Sequence, residues 1–427
     1  MSQEIIDRLR RLGLTKGTRN LKPTSKHTSA ASSQRYMEHG FTADVSLEML
    51  FPDGRLEDSE RGACFIVDNV YPVSHLHGHT RLSALLGQDP AVAAVYSKEE
   101  RLSGLDFRDF VFLDTETTGL YGAGTMAFMV GIAFFDRSFQ GDVLIVRQFF
   151  LRDHDDETAM LQFLSDFVNE KRGLITFNGH TFDLSILENR CLLNRIPGSL
   201  RQLPHIDLLP LARRLWRTRI GSVALNNLEK ELLAVRRAEA DVPGWLIPSI
   251  YNNYLRSQDA RELVRVFYHN EIDMLSMVTL TDYLLRLIAD SSSDVHPIDL
   301  YSLGKWQADI GLVLEAEMTL KDAVQTDLPL PVFHKALERL ALLLKRQNRN
   351  EEALPLWQQW AATSFDEVNA HVELAKFYEW HEKDIKSAEG WTLQALSLVD
   401  TWPSPRAELI RPELVHRLAR LQRKLSG

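Results

Sequence analysis

The sequence predicts an α/β domain, a mixed sheet with helices packed on it, followed by an all-α helical-repeat region. Across residues 106–290, short apolar runs alternate with stretches whose apolar residues recur at helical spacing. Residues 298–427 change to helix after helix, with Leu303-Gly304, Leu340-Ala341 and Leu374-Ala375 spaced by 37 and 34 residues. A chain of 427 residues with 44% hydrophobic and 25% charged residues is an ordinary globular one of several units.

The elements follow in chain order. Residues 2–14 can form an amphipathic helix with Ile5, Ile6, Leu9 and Leu12 on one side, and Thr15 to Ser33 reads as a flexible tether. Residues 1–40 carry eight Lys/Arg against three Asp/Glu, a flexible basic segment. Residues 41–105 form a small β-rich lead-in with a turn at Phe51-Pro-Asp-Gly-Arg55. Within it His75, His77 and His79 alternate, so a strand would set them on one face, either to hold a metal or simply to pack. In 106–290 the strands are Phe110–Asp114, Met126–Phe135, Val143–Leu151 and Gly173–Phe177, with helices over Glu157–Lys171 and Phe182–Asn194. Around Ser291–Asp294 a linker is expected. Beyond it, Ala316, Ala353 and Ala388 follow the spaced leucines by 13 or 14 residues, where small side chains let paired helices approach.

Charge and apolar patterning exclude several classes. Net charge is −9, so a nucleic-acid partner would need a local basic surface, which residues 184–237 supply with ten Lys/Arg against four Asp/Glu. The longest mostly apolar run, Met126 to Phe135, is ten residues, whereas a membrane-spanning helix needs about 20. The first residues lack a signal peptide's apolar stretch, and two cysteines, Cys64 and Cys191, cannot build a disulfide framework. The expected setting is the cytoplasm, without membrane association.

Three segments carry chemistry. In Phe112-Leu-Asp-Thr-Glu-Thr-Thr-Gly-Leu120 a strand sets Asp114 and Glu116 on one face, where the two carboxylates repel unless a cation lies between them. Hard divalent cations with oxygen ligands relieve that repulsion. Ile175 to Leu184 repeats the shape of strand, polar turn and helix, with Asn178 and Gly179 in the turn and Asp183 at the helix start, where it could also be a simple electrostatic cap. In Val266 to Met277, His269 and Asp273 stand four apart, on one face of a helix.

Together these segments resemble the three motifs of the DEDD superfamily, the DnaQ-like 3′–5′ exonucleases with a ribonuclease-H-like fold. Asp114 and Glu116 match the D-x-E motif, and Asn178, Phe182 and Asp183 match N-x-x-x-F-D. Asp273 closes the third. Tyr71-Pro-Val-Ser-His75, Arg147-Gln-Phe-Phe-Leu-Arg152 and Asp241 to Pro248 resemble the YprB-like branch, and the helical hairpins resemble tetratricopeptide repeats. Family members carry His five residues before the last Asp or Tyr four before it. Here His269 stands at four and Tyr268 at five. His269 lies closer to the Asp273 face, and imidazole is the better base near neutral pH.

The resemblance implies a metal-dependent nuclease of single-stranded DNA or RNA. Asp114, Glu116, Asp183 and Asp273 would bind two Mg2+ or Mn2+ ions, and His269 would act on the attacking water. Thr115, Thr117, Asn178 and Phe182 are expected beside the substrate. Arg213, Arg214, Arg217 and Arg219, with Trp216 among them, offer phosphate contacts and base stacking, or else one solvated helix face. Asp207, between the second and third motifs, could support the metal ligands without binding the ions itself. The repeats would bind a protein partner. The competing reading is a non-catalytic adaptor: a degenerate nuclease fold that binds nucleic acid while its repeats recruit a protein.

Overall fold

A computed structural model describes residues 45–119, 124–138, 141–198, 200–238, 241–290 and 295–426. The amphipathic helix expected at 2–14 and the tether after it lie outside the described residues. A seven-stranded sheet forms the centre, in the order β1-β2-β7-β6-β5-β8-β9. Its strands are β1 (Arg55–Ser59), β2 (Gly62–Pro72), β5 (Phe110–Thr117), β6 (Ala127–Ser138), β7 (Gly141–Phe150), β8 (Gly173–Thr176) and β9 (His205–Asp207). A separate hairpin pairs β3 (Leu76–His77) with β4 (Thr80–Arg81). β5 pairs antiparallel with β6 on one side and parallel with β8 on the other, and β9 extends the parallel edge. The sheet is mixed, as the alternating pattern predicted.

One difference concerns the stretch assigned to a lead-in. β2 pairs antiparallel with β7 from Phe65↔Phe150 to Pro72↔Val143, so residues 55–72 are the outer edge of the same sheet. No local pattern announces this pairing, because its partner lies some 80 residues away.

The helices up to the repeats are α1 (Leu47–Leu50), α2 (Pro90–Ser97), α3 (Glu157–Asn169), α4 (Asp183–Leu193), α5 (Leu208–Ile220), α6 (Leu225–Leu228), α7 (Ile247–Ser257) and α8 (Leu263–Ala289). They cover both faces. Val111 and Leu113 of β5 join a core with residues of α3, α4 and α7, while Phe110 and Phe112 join a second core with α5. Period-two alternation therefore splits one central strand between two cores. Helix α8 serves both: Leu263, Val266 and Phe267 lie in the first, and Met274 to Ile288 contribute to the second. Asn270 and Asp273 fall where it passes from one to the other.

Beyond these come three helical hairpins, α9 (Pro297–Ile310) with α10 (Val313–Val324), α11 (Leu330–Arg346) with α12 (Asn350–Thr363), and α13 (Asn369–Lys376) with α14 (Ile385–Val399), then α15 (Ser404–Ser426). Ala316, Ala353 and Ala388 are fully buried. Helix α9 departs from the expected boundary. Its Leu303 and Trp306 are buried in the second core, and its Asp299 forms a buried ion pair with Arg219 of α5 at 2.8 Å. The first repeat helix is thus built into the α/β core, and a cut at residue 298 would open that core. No helix is long and apolar enough to cross a membrane among the described residues.

Candidate active site

The carboxylates converge where β5 ends against α8. Asp114 and Glu116 follow Phe110 and Phe112 on the face toward α8. Asp114 sits opposite Gly131 in the β5–β6 register, and the glycine is required: a Cβ there would come within 2.1 Å of Asn270 Oδ1. Through that gap the fully buried Asn270 reaches Asp114, its Nδ2 donating to Oδ2 at 3.2 Å. Gln148 Nε2 donates to Asn270 Oδ1 at 3.0 Å and so fixes which end of the amide faces the carboxylate.

The second motif arrives from the opposite face. After β8 the chain turns at Asn178, with φ 70°, and enters α4 at Asp183. Gly179 packs so closely on Thr176 that a Cβ would lie 2.4 Å from its Oγ1. Asp207 holds the turn from behind, accepting from the Asn178 N–H at 2.8 Å and the His180 N–H at 3.1 Å. Asp183 is 3% exposed and accepts a hydrogen bond from Thr115 Oγ1.

The third segment brings a constellation that the motifs do not contain. His269 places Nδ1 2.8 Å from Asp241 Oδ1 and Nε2 3.6 Å from Asp273 Oδ2. Arg237 donates to Asp273, grips Glu229 at 2.6 and 2.7 Å, and lies 3.1 Å from His269 Nδ1. Tyr268 turns away, its hydroxyl accepting from the Ala238 N–H at 2.9 Å. Neither Arg237 nor Glu229 was legible, since Arg236-Arg237 reads as an ordinary solvated basic pair.

Burial and mutual repulsion set the electrostatics. Asp114 is held well above the usual carboxylate range by burial and then by the charges of Asp183, Asp273 and Glu116. Glu116 is raised in the same way by burial, Asp273 and Asp183. Burial lifts Asp183 to about 6 against the Thr115 hydrogen bond. Burial also raises Asp273, although His269 and Arg237 oppose it. Such a donor set suits a hard divalent cation, which would remove the repulsion. Atoms of Glu116, His269 and Asp273 able to ligate a metal lie within 4.8 Å of one another.

Several expected substrate contacts are placed differently. Thr115 and Thr117 are buried, one hydroxyl spent on Asp183 and the other on the Gly119 carbonyl at 2.8 Å. They support the loop rather than face a substrate. Trp216 is fully buried in the second core and cannot stack on a base, because α5 turns its apolar face to the sheet. Arg213, Arg214 and Arg217 are exposed on the other side of that helix. Asn178, Arg213 and Arg217 border the same cavity as Asp114 and Asp273, and Phe182 is half-buried at the start of α4. Of the three alternating histidines, His77 is buried against Ser276 Oγ at 2.8 Å, and burial lowers its pKa to about 4. Among the described residues the three form no metal-ligating group.

Comparison with known proteins supports the fold of this domain. Residues 111–285 match the model of a family in the RNase H superfamily. The chain is 32% identical over 386 residues to the uncharacterized protein YprB of Bacillus subtilis (strain 168), covering 85% of this chain and 87% of that protein.

Proposed function

The chain belongs to the family of YprB, with an α/β domain of the RNase H superfamily, and from that premise we propose that it is a metal-dependent nuclease hydrolysing phosphodiester bonds. The finer reading is a 3′–5′ exonuclease of single-stranded DNA or RNA in the cytoplasm. One observation carries the proposal. Four carboxylates from three separate segments, Asp183 buried and the others half-buried, meet in one centre, and all are raised above their ordinary range.

In this reading Asp114, Glu116, Asp183 and Asp273 would hold two Mg2+ or Mn2+ ions. When bound, such ions supply a nucleophilic water and stabilise the leaving oxygen. The remaining work falls to the chain itself. Asp241 accepts from His269 Nδ1, which leaves Nε2 as the basic nitrogen on the Asp273 side, where it takes a proton from the attacking water. Asn270 and Thr115 keep Asp114 and Asp183 in place, and Asp207 holds the Asn178 turn beside the strand to be cut. Arg213 and Arg217 contact its phosphates. The three hairpins are of a tetratricopeptide kind and offer a surface to a protein partner.

A second reading, the non-catalytic adaptor, draws on Arg237. An arginine seated on Asp273 already neutralises one of the carboxylates. Digestion of end-labelled single strands, DNA and RNA side by side, separates the two. The nuclease reading expects Mn2+-dependent shortening from the 3′ end by the wild-type chain and its loss in Asp114→Ala. Wild-type protein that binds the strands but never shortens them would establish the adaptor instead.

A further inference from the structure

We propose that the substrate strand leaves the carboxylate centre along a cationic cleft that crosses from α5 onto the first repeat helix, making Lys305 and Ser302 of α9 part of the substrate-binding surface. This inference rests on the nuclease reading and extends it. A cavity of about 530 Å³ borders Asp114 and Asp273 and is walled by Arg213 and Arg217. A second, of about 440 Å³, shares those two arginines and continues past Arg214 to Ser302 and Lys305. The shared wall makes them one path from the reacting end onto the repeats.

Charge marks the path. Arg213, Arg214, Arg217 and Lys305 are all exposed, and none has a carboxylate partner among the described residues, while Asp309, which lines the second cavity, is paired with Arg339. The contrast lies on the same helix, where Arg219 is locked into its ion pair with Asp299. Arg213 and Arg217 stand about one turn apart, roughly 6 Å along the axis, and so present a row of cations rather than a point. Four unpaired cations in a row are unexpected in a chain of net charge −9, unless anions come to them. Ser302 lines the same cleft with a buried hydroxyl that has no hydrogen-bond partner among the described residues.

The chemistry of the wall identifies the ligand. Trp306 is 2% exposed, its face covered by the Arg214 guanidinium at 5.7 Å, so the repeat-side cavity offers no free ring for stacking, while the half-buried Phe177 borders the cavity at the reacting end. Recognition runs through phosphates and is tolerant of sequence. It suits a single strand several nucleotides long, held by charge and therefore weakened by salt.

The test is fluorescence anisotropy with the full chain in EDTA, which stops hydrolysis, using labelled oligothymidylates of four and sixteen nucleotides. On the longer strand, Lys305→Ala and Arg214→Ala should each weaken binding several-fold. Each should also make the slope of log affinity against log salt shallower by about 0.7, the value for one phosphate contact on a single strand. The short strand, held near the carboxylates, should bind all three proteins alike. Both positions are exposed, so unchanged melting temperatures will show that the variants fold. Wild-type affinity and slope for Lys305→Ala on the longer strand would overturn the path while leaving the nuclease reading intact. Equal losses on both lengths would overturn it too, since Lys305 would then act at the reacting end. If the wild-type chain binds neither strand, the nucleic-acid reading fails and this inference with it.

Discussion

Two acidic groups, one in each half of the molecule, show what separates a structural carboxylate from a candidate catalytic one. Glu379, just past α13, is wholly enclosed, whereas Asp114 and Glu116 are half-buried at the end of β5. Around Glu379 stand Arg420 at 2.7 Å, Lys424 at 2.8 Å and Arg417 at 3.5 Å, all from α15. Burial alone would raise its pKa, but the hydrogen bonds from Arg420 and Lys424 hold it below the ordinary range. Asp114 and Glu116 face further carboxylates instead, and their pKa values rise. Glu379 clamps the last helix to its neighbour. The β5 pair is left with a charge that the fold does not neutralise, and that deficit points to a ligand.

The largest effect should come from Glu379→Gln. Three cations would lose their partner, but only Arg417 is itself buried and water can reach Arg420 and Lys424, so the cost should be about 2–3 kcal/mol. Asp114→Asn should act in the opposite direction, raising the stability of the metal-free chain by roughly 1 kcal/mol as repulsion is relieved. Urea midpoints in EDTA measure both. Equal destabilisation by the two changes would break the comparison.

A pH series sharpens it. The folded pKa of Asp183 is about 6 against an ordinary 3.8. Below about pH 4 the group is protonated in both states and contributes no difference. As pH rises through the window from 4 to 6, the unfolded chain gives up its proton before the folded one, so stability falls, and the full penalty stands above 6. Asp183→Asn should therefore gain on the wild type with rising pH, by about 1–3 kcal/mol at pH 7. Glu379, whose folded pKa is lowered, runs the other way: its contribution is present above its ordinary value of 4.5 and lost as pH falls. An advantage of Asp183→Asn that is constant from pH 4 to 7 would contradict a carboxyl raised by its burial at this centre.

How much of this was legible in the sequence follows from the range of each interaction. The strands around β5 and helices α3 and α4 show in local periodicity, and their ends fall within a few residues of the expected ones. Asp114 and Glu116 stood out because strand geometry sets them on one face, whereas Asp183 and Asp273 stood out through the resemblance of the three segments to the DEDD motifs. Distant contacts stayed hidden. The pairing of β2 with β7, the seat of Arg237 on Asp273 and the burial of Trp306 against α5 each join segments whose local patterns are silent about one another. Trp216 misled for a related reason: an aromatic among arginines on one helix looks like a stacking surface until the sheet shows which face is inside.

The central claim, that the β5 carboxylates form a divalent-cation centre, is tested most directly by following the melting temperature during Mn2+ titration of the full chain and of Asp114→Asn. Ligand linkage predicts about 2.7 kcal/mol of stabilisation at a hundredfold excess over the dissociation constant, hence a melting temperature that climbs with Mn2+ for the wild type. Asp114→Asn should begin higher in EDTA and climb little. A wild-type chain whose melting temperature ignores Mn2+, or an Asn variant that follows it equally, would contradict the account.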